Sequence, residues 1–249
     1  MNIERAIETA RGWESVVGSD WTWYEPGLRS ASRTIAKTAI RYLKPGARVL
    51  DYGCGPCNKT AVLADLGFNC TGYDRFVETW HRLPGNMEKI QQFAAQHRIT
   101  LIDGGMEEVP EREKFDMVMS SDVLEHLPEP RGVMETMVGA LKSEGVLMIL
   151  VPNAGNIRKR LLLLLGGTNY PRYQEFYWTE GRFVGHVREY VRGDLKLMSR
   201  YLGLEILELR GVDHMIQKVP RGLRFPYKAI TALAPGLKDT WLLVARKYT

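Results

Sequence analysis

The feature that most constrains the fold is a glycine-rich turn placed directly after a short apolar run. Residues 47–53 (ARVLDYG) predict a buried strand, and the turn at residues 53–57 (GCGPC) leads into a predicted helix at residues 57–66. Glycines at such a turn allow the backbone to approach a ligand closely at the carboxyl end of the strand. The pattern therefore predicts an open α/β sheet with a ligand held against this turn.

The rest of the chain alternates between strand-like and helix-like segments, which is typical of a mostly parallel sheet covered on both faces. Further strands are predicted at residues 69–74, 99–103, 115–122, 145–152, 202–211 and 240–248. Further helices are predicted at residues 28–43, 84–97, 130–142 and 193–202, and residues 156–167 also look helical. Residues 167–190 and 212–235 show little regular period, so we expect irregular insertions there.

Composition and length are those of an ordinary globular domain. The 249 residues are 45% hydrophobic and 25% charged, and no repeat or low-complexity linker divides them. The first residues carry no apolar export signal, and the longest leucine run, residues 161–165, is far shorter than the roughly 20 apolar residues that span a bilayer. Three clustered cysteines are too few for a secreted disulfide framework, so we expect a cytoplasmic protein.

The net charge of +5 is unevenly distributed along the chain. Residues 1–154 hold 17 basic and 21 acidic residues, whereas residues 155–228 hold 14 and 7, a net charge of +7. A basic segment after an acidic two thirds indicates an anionic substrate or surface near residues 155–228, and a solvated face is the alternative.

Acidic residues lie at or near the ends of several predicted strands, including the first two. Asp51 lies just before the glycine turn, and Asp74 ends the next strand, where a carboxylate is placed to accept hydrogen bonds from ribose hydroxyls. A nicotinamide dinucleotide needs a glycine at position 58 so that its pyrophosphate reaches the helix N-terminus, and this chain has Asn58. A nucleoside without phosphates fits the pattern better.

Four motifs, in order, carry a resemblance to a known family. They are VLDYGCGPC (49–57), CTGYD (70–74), FDMVMSSDVLEHLPEP (115–130) and GVLMILVPN (145–153). Over residues 47–210 the chain closely resembles the S-adenosylmethionine-dependent methyltransferases of the Rossmann-like class. The resemblance is greatest to small-molecule O-methyltransferases of ubiquinone biosynthesis and of sugar-modification clusters.

This resemblance implies a Rossmann-like, seven-stranded, mostly parallel sheet with the last strand antiparallel and helices on both faces. It also implies an N-terminal helical segment and an insertion after the fifth strand. We expect a single methyltransferase domain over residues 1–249. Its parts would be a helical cap at residues 1–45, a cofactor-binding core at residues 46–152, and acceptor-side insertions at residues 153–192 and 211–236.

The resemblance also implies which residues hold S-adenosylmethionine. Gly53 and Gly55 would pass beside its methionine and ribose parts. Asp51 would hold its ammonium group and Asp74 its ribose hydroxyls. The other cofactor candidates are Ser121 and Asp122 beside the methionine, and Asp103 and Met106 at the adenine. Position 105, where the family usually has an acid, is glycine here, so either Asp103 or backbone alone reads the adenine.

His186 and His126 are the catalytic candidates. His186 lies in GHVREY (185–190), which resembles a stretch that borders the acceptor pocket in related enzymes, so it would act as general base. A structural role is the alternative for each histidine. The substrate-binding candidates are Arg188 as an anion clamp, Tyr190, and the aromatic Trp23 and Tyr24 as part of a lid or as packing.

His126 ends an acid-x-x-acid-His motif that can bind a divalent metal in ubiquinone-type relatives. Asp122, Glu125 and His126 would then hold Mg²⁺ against substrate oxygens. The alternative, which we favour, is that these residues only line the pocket, so we predict no metal site.

Some segments of the sequence also resemble motifs of other classes of protein. Residues 54–57 (CGPC) match a thioredoxin-type redox motif, but Gly53 rather than an aromatic residue directly precedes them, and the other motifs would go unexplained. The sequence lacks the motifs of nucleobase methyltransferases and has no basic stripe. Both observations argue against a nucleic-acid substrate. Residues 158–165 (RKRLLLLL) would suit either a core-facing helix or an interfacial helix on an anionic membrane.

The sequence thus predicts an enzyme that moves a methyl group from S-adenosylmethionine to a small molecule, at a hydroxyl oxygen, by in-line displacement. The alternatives are a regulatory protein that binds the cofactor without turnover, and a thiol-disulfide oxidoreductase. We expect an anionic or lipid-linked acceptor, with peripheral membrane contact as an option. The sequence predicts no oligomeric state.

Overall fold

The computed structural model describes residues 2–13, 25–77, 81, 83–104, 114–181, 183 and 185–248. Its strands are β1 (Arg48–Tyr52), β2 (Asn69–Asp74), β3 (Thr100–Asp103), β4 (Phe115–Ser121), β5 (Leu141–Pro152), β6 (Leu204–Val212) and β7 (Thr240–Lys247). Its helices are α1 (Ile3–Thr9), α2 (Glu25–Tyr42), α3 (Asn58–Asp65), α4 (Asn86–Gln96), α5 (Pro130–Ala140), α6 (Ile157–Leu164), α7 (Tyr173–Tyr177), α8 (Arg192–Tyr201) and α9 (Arg224–Leu233).

All seven strands form one sheet in the order β3-β2-β1-β4-β5-β7-β6. Strands β1 to β5 pair in parallel, and β7 runs antiparallel to both of its neighbours. The expected seven-stranded, mostly parallel sheet with an antiparallel last strand is confirmed.

Apolar side chains pack on both faces of the sheet because successive residues of a strand point to opposite sides. Val49 of β1 belongs to the core beneath α1 to α4, and its neighbour Leu50 belongs to the core beneath α5 and α8. The same alternation occurs along β4 and β7. Burial on both faces explains why these strands read as continuous apolar runs.

The strand order places a crevice at the centre of the sheet. β1 lies between β2 and β4, so the chain leaves β1 towards one edge and later crosses to the other side. Adjacent connections then run in opposite directions, and the gap between them opens at the carboxyl ends of the strands. The glycine turn after β1 lies at this point.

The N-terminal helices pack beside this crevice. Ala6 and Ile7 of α1 are buried in the core with α2 and α3. Glu4 accepts two hydrogen bonds from the Arg33 guanidinium of α2, at 2.6 and 2.8 Å. In the described part of the chain, no helix is long and apolar enough to cross a membrane.

The prediction of an irregular segment at residues 212–235 was wrong, because α9 lies there. Its signal is weak because only Tyr227 and Thr231 are buried, and Phe225 on the same helix is exposed. Pro226 falls in the first turn, where a missing N–H costs no helical hydrogen bond. The predicted irregular insertion at residues 167–190 holds only the short helix α7 among its described residues.

Candidate functional site

A cavity of about 760 Å³ opens at the carboxyl ends of β1, β2 and β4. The glycine loop, the first half of α6 and residues 214–218 all contribute to its wall. The sequence-predicted site residues that line it are Asp51, Gly53, Gly55, Asp74, Ser121, Asp122, His126 and His186. Residues that are far apart in sequence therefore meet at the predicted edge of the sheet.

Backbone hydrogen bonds hold the glycine loop, residues 53–57, against β2. The N–H groups of Gly53 and Cys54 donate to the Tyr73 carbonyl oxygen at 2.7 and 3.1 Å. Gly53 has a φ of +81°, and a Cβ at this residue would lie 2.4 Å from Cγ2 of Val123. Only glycine fits this position. The absence of a side chain allows the loop backbone itself to form part of the cavity wall.

The Asp74 carboxylate ends β2 and links two backbone segments. The Gly55 N–H donates to Oδ2 at 2.8 Å, and the Phe76 N–H donates to Oδ1 at 2.9 Å. A carboxylate oxygen can accept two hydrogen bonds, and each oxygen of Asp74 accepts one from the backbone. Asp74 therefore retains capacity for donors in the cavity, which it lines. The carboxylate is thus positioned before any ligand arrives.

Asp51 is almost fully buried beneath the glycine loop. The Thr60 hydroxyl donates to its Oδ2 at 2.6 Å. Burial raises the pKa of Asp51 to about 6, against the opposing effects of Thr60 and the Lys59 ammonium, and the nearby Asp74 raises it further. A cation in the cavity would favour the ionised carboxylate.

Lys59 lies in the first turn of α3 and was not singled out by the sequence patterns. Its ammonium donates to the Asp122 carboxylate at 2.6 Å and to the Ser121 hydroxyl at 2.9 Å. Burial alone would raise the pKa of Asp122, but the Lys59 ammonium holds it below its ordinary value. A single lysine at a helix start carries no motif, so only the fold reveals this ion pair.

Glu125, His126 and His186 form a cluster at one end of the cavity. Both carboxylate oxygens of Glu125 are buried and have no hydrogen-bond partner among the described residues. Burial, together with Asp122, raises the pKa of Glu125 well above its ordinary value. The rings of His126 and His186 meet edge to face, with centroids 4.9 Å apart.

His186 is a neutral histidine held by a carboxylate. Its Nδ1 lies 3.2 Å from Oε1 of Glu189, and Glu189 also forms an ion pair with Lys159. Burial, followed by the charges of His126 and Lys159, lowers the pKa of His186 to about 4. With Nδ1–H donating to Glu189, Nε2 is available to accept a proton.

The cluster does not match the magnesium site that the sequence suggested as an alternative. The ligand atoms of Glu125, His126 and His186 lie within 4.8 Å of one another, whereas Asp122 is engaged by the Lys59 ammonium. Two imidazoles and one carboxylate are a nitrogen-rich donor set, and Mg²⁺ prefers oxygen ligands.

Cations also line the cavity, namely Arg158, Lys159 and Lys218. Burial, together with Arg158 and Lys218, lowers the pKa of Lys159 to about 8. Burial and Arg158 also lower the pKa of Lys218. The local excess of positive charge predicted for residues 155–228 is therefore partly concentrated at the cavity.

His214 is a buried residue of the cavity wall that sequence reasoning missed. Its backbone N–H donates to Oδ1 of Asp239 at 2.9 Å, and its Nε2 lies 3.4 Å from the Thr34 hydroxyl. Burial lowers its pKa to about 4, and the charges of Lys59 and Arg210 act in the same direction. His214 follows β6 in a segment without periodicity, so only the fold brings it to the cavity.

The pKa of His214 predicts a loss of stability in acid. The unfolded chain binds this proton near pH 6.5 and the folded chain only near pH 4, so stability falls as the pH drops below about 6.5. The difference corresponds to about 3 kcal/mol at pH 4. Urea unfolding at pH 7 and pH 4.5 should show a smaller loss for His214→Gln than for the wild type. Equal losses in both proteins would contradict the assigned burial of His214.

Other predicted residues lie elsewhere in the structure. Arg188 is exposed, pairs with Asp194 at 3.3 Å and does not line the cavity. Tyr190 is buried and donates its hydroxyl to the Leu124 carbonyl oxygen. Asp103 is exposed at the end of β3, beside Asp74 in the parallel register. Trp23, Tyr24 and Met106 lie outside the described residues.

Cys54 and Cys57 do not have the environment of a redox pair. Both thiols are free and buried, with their sulfurs 3.6 Å apart over Gly72. Burial and the neighbouring Cys57 raise the pKa of Cys54 well above its ordinary value. Disulfide exchange needs an accessible thiol with a lowered pKa, so the oxidoreductase alternative is not favoured.

Comparison with known sequences agrees with this geometry. The profile of a family described as a methyltransferase domain matches residues 25–209. The chain is 29% identical over 167 residues to the ubiquinone biosynthesis O-methyltransferase of Glaesserella parasuis, covering 60% of this chain and 66% of that protein. It is 26% identical over 175 residues to the Pseudomonas entomophila enzyme of the same name, covering 68% of this chain and 69% of that protein. The matched region spans just under two thirds of the first of these relatives.

Solved structures share the fold. The 1,6-didemethyltoxoflavin-N1-methyltransferase of Burkholderia thailandensis, solved with S-adenosylhomocysteine, aligns with a TM-score of 0.56 at 18% identity over 99% of this chain and 85% of that one. The magnesium protoporphyrin IX methyltransferase of Synechocystis, also solved with S-adenosylhomocysteine, aligns with a TM-score of 0.60 at 14% identity over 96% and 94%. Since the family profile covers well over half of the sequence and the sheet has the expected strand order, the chain belongs to the methyltransferase domain family.

Proposed function

We propose that this protein is an S-adenosylmethionine-dependent methyltransferase that methylates a hydroxyl oxygen of a small molecule. The observation that carries the proposal is the pair of carboxylates, Asp51 and Asp74, facing one cavity beside the glycine loop. The ligand is a nucleoside that carries an ammonium group, so Asp51 complements the ammonium group and Asp74 suits the ribose hydroxyls. A phosphate-bearing dinucleotide would instead meet repulsion at this place.

The contacts of the cavity residues support one arrangement of the cofactor. Asp74, anchored by two backbone N–H groups, would accept the ribose hydroxyls. Asp51 would hold the ammonium group, with Ser121 and Asp122 beside the methionine. Gly53 and Gly55 would let the loop backbone approach the ligand. Asp103 and Met106 stay as candidates for the adenine.

When bound, S-adenosylmethionine supplies a methyl group on a sulfonium, open to in-line displacement by an acceptor oxygen. The chain's own residues would position the acceptor, exclude water and remove one proton. His186 would take the hydroxyl proton on Nε2, because Glu189 holds Nδ1 and the ring is neutral at pH 7. His126 packs against that ring and would keep its orientation.

The cationic wall supports an anionic acceptor. Arg158, Lys159 and Lys218 line the same cavity as Asp51 and Asp74, so the cavity presents groups of both charges. A carboxylate or phosphate on the acceptor would offset the mutual repulsion that lowers the pKa values of both lysines. Relatives named ubiquinone biosynthesis O-methyltransferase support an oxygen as the methyl acceptor.

A transfer assay tests the proposal directly. The protein would be incubated with methyl-tritiated S-adenosylmethionine and a panel of catechols, hydroxy acids and sugar phosphates, and tritium would be counted in the extracted acceptor. We expect transfer to at least one class of hydroxylated acceptor. Binding of the cofactor without transfer to any acceptor would favour the regulatory alternative.

The raised pKa of Asp51 predicts that cofactor affinity depends on pH. Below about pH 6 Asp51 is protonated and must release its proton to pair with the ammonium, so affinity should fall up to about tenfold per pH unit. Calorimetry with S-adenosylhomocysteine from pH 5 to pH 8, in two buffers of different ionisation enthalpy, would measure both the affinity and the proton release. Asp51→Asn should bind more weakly and show neither effect. Wild-type affinity that is flat across this range would contradict the assigned role of Asp51.

A further inference from the structure

Helix α6 and the segment after it expose many large apolar side chains to solvent. None of the residues of α6 or α7 is buried. Leu164 is 82% exposed and Leu165 is 86% exposed, at the end of a run of five leucines. Five consecutive leucines extend round the whole circumference of a helix, and each of the five is at least 45% exposed. A core-facing amphipathic helix would not have this pattern.

Aromatic side chains continue this exposed surface after α6. The exposed aromatic residues between positions 170 and 178 are Tyr170, Tyr173, Phe176, Tyr177 and Trp178. Tyrosine and tryptophan combine an apolar ring with a polar tip and are enriched where an apolar phase meets water.

Helix α9 adds a second exposed apolar face. Tyr227 and Thr231 point into the protein, whereas Phe225 is 83% exposed and Leu233 is 90% exposed. In a helix at the surface of a globular protein, large apolar side chains normally point inward. On α9 Phe225 and Leu233 point outward instead.

Basic residues accompany both helices. Exposed Arg158 and Arg160 precede the leucines of α6, exposed Arg221 and Lys228 lie at or beside α9, and residues 215–238 contain no acidic residue. A surface that is at once apolar and cationic complements anionic lipid, whose headgroups attract lysine and arginine and whose acyl boundary accepts apolar side chains.

Helix α6 lines the cavity, and α9 is tied to a turn that lines it. Arg158 of α6 interacts electrostatically with Lys218 and with Tyr227 of α9. Arg224 of α9 donates to the carbonyl oxygens of Val219 and Gln217 at 3.0 and 3.3 Å, which ties α9 to the turn that carries Lys218. Leu162 and Lys218 both line the cavity. The exposed surface therefore borders the entrance of the site.

We propose that residues 157–178 and 221–233 together form a docking face for an anionic bilayer surface. A second copy of this chain is a poorer occupant, because a two-fold dimer would bring two cationic faces together. Docking would set the cavity entrance at the headgroup level, within reach of an acceptor that carries a lipid tail. The docking itself does not depend on the proposed methyl transfer, and only the delivery of such an acceptor does.

Vesicle flotation tests the docking face without any cofactor. Wild-type protein should float with vesicles of phosphatidylcholine containing about 30% phosphatidylglycerol, and much less with pure phosphatidylcholine. Binding should weaken between about 0.05 and 0.5 M salt, because salt screens the attraction to the headgroups. The fluorescence difference between the wild type and Trp178→Phe should shift to shorter wavelength with vesicles. The proposal is overturned if no binding to anionic vesicles occurs at low salt.

A matched pair of variants tests which surface binds. Leu164→Glu with Leu165→Glu should lower the partition into anionic vesicles at least about tenfold, since two charges replace two apolar side chains. Tyr201→Glu changes an equally exposed residue at the end of α8 and should bind like the wild type. Both variants should keep the thermal midpoint and the S-adenosylhomocysteine affinity of the wild type. Unchanged vesicle binding by the leucine variant would contradict the proposal. So would a concentration-dependent dimer in sedimentation that the same variant abolishes, because that result assigns the face to a second copy.

Discussion

Replacing Asp74 with alanine should abolish measurable binding of S-adenosylhomocysteine. The substitution removes the proposed acceptor of both ribose hydroxyls and also the anchor of the Gly55 and Phe76 N–H groups. Hydrogen bonds to a charged partner contribute about 1.5 to 3 kcal/mol each, so two of them correspond to a loss of affinity of at least about 100-fold. Isothermal titration calorimetry of the two proteins at pH 7.5 would measure the difference.

Two further variants show whether this loss is specific. Asp74→Asn keeps the size and one acceptor oxygen, so it should bind more tightly than the alanine variant and more weakly than the wild type. Asp65→Ala removes a carboxylate at the far end of α3, where it pairs with His97, and should leave binding unchanged. An Asp74→Ala protein that binds within threefold of the wild type would remove Asp74 from the cofactor site.

Replacing His186 with glutamine should lower turnover about 100-fold and leave cofactor binding intact, since general bases typically contribute at least this factor. The side chain lies beside Glu125 and His126, and its hydrogen-bond partner is Glu189, which is not among the residues proposed to hold the cofactor. Turnover would be measured with the first acceptor that the wild type methylates. Because the pKa of His186 is about 4, wild-type turnover should not fall between pH 8 and pH 6 through loss of this base.

The neighbouring residues give the controls for His186. Glu189→Gln keeps a hydrogen-bond acceptor for Nδ1 but removes the charge, so it should lower turnover less than His186→Gln does. Arg188→Gln alters an exposed side chain that pairs with Asp194 outside the cavity, and it should have little effect. A His186→Gln enzyme with full turnover and unchanged acceptor KM would show that another group, or water, takes the proton.

The sequence was sufficient for the parts of this protein that local pattern determines. The strands are buried on both faces and read as apolar runs, and the glycine turn marks the end of β1 because Gly53 alone tolerates the approach of Val123. Asp51 and Asp74 could be assigned to one site since parallel strands end at the same edge of a sheet. These positions follow from residues close together in the chain.

The rest of the site depends on contacts between distant segments. Lys59 reaches Asp122 across 63 positions, and the His214 side chain lies against Thr34 from 180 positions away. Neither Lys59 nor His214 belongs to a sequence motif, so the sequence pattern could not predict their place in the site. Arg188 was expected at the acceptor, but Asp194 at the start of α8 holds it outside the cavity. Helix α9 was missed because its apolar residues point outward, against the usual rule.

The uneven charge of the chain takes a clearer meaning in the folded state. Some of the cations in residues 155–228 line the cavity together with the carboxylates, and others accompany the exposed leucines of α6 and the exposed face of α9. One compositional signal thus divides into two surfaces with separate tests: acceptor charge for the cavity, and vesicle binding for the exterior.

Titration of the wild-type protein with S-adenosylmethionine and S-adenosylhomocysteine tests the central claim most directly. Calorimetry at pH 7.5 should show one site for each, with dissociation constants of about 1 to 100 µM, in the range usual for enzyme ligands. NAD⁺ should give no heat under the same conditions, because Asn58 and the paired carboxylates do not suit a pyrophosphate. Saturable binding of the sulfonium and its product, but not of the dinucleotide, is the result expected. No heat with either adenosyl ligand, up to their solubility, would contradict the assignment of this cavity.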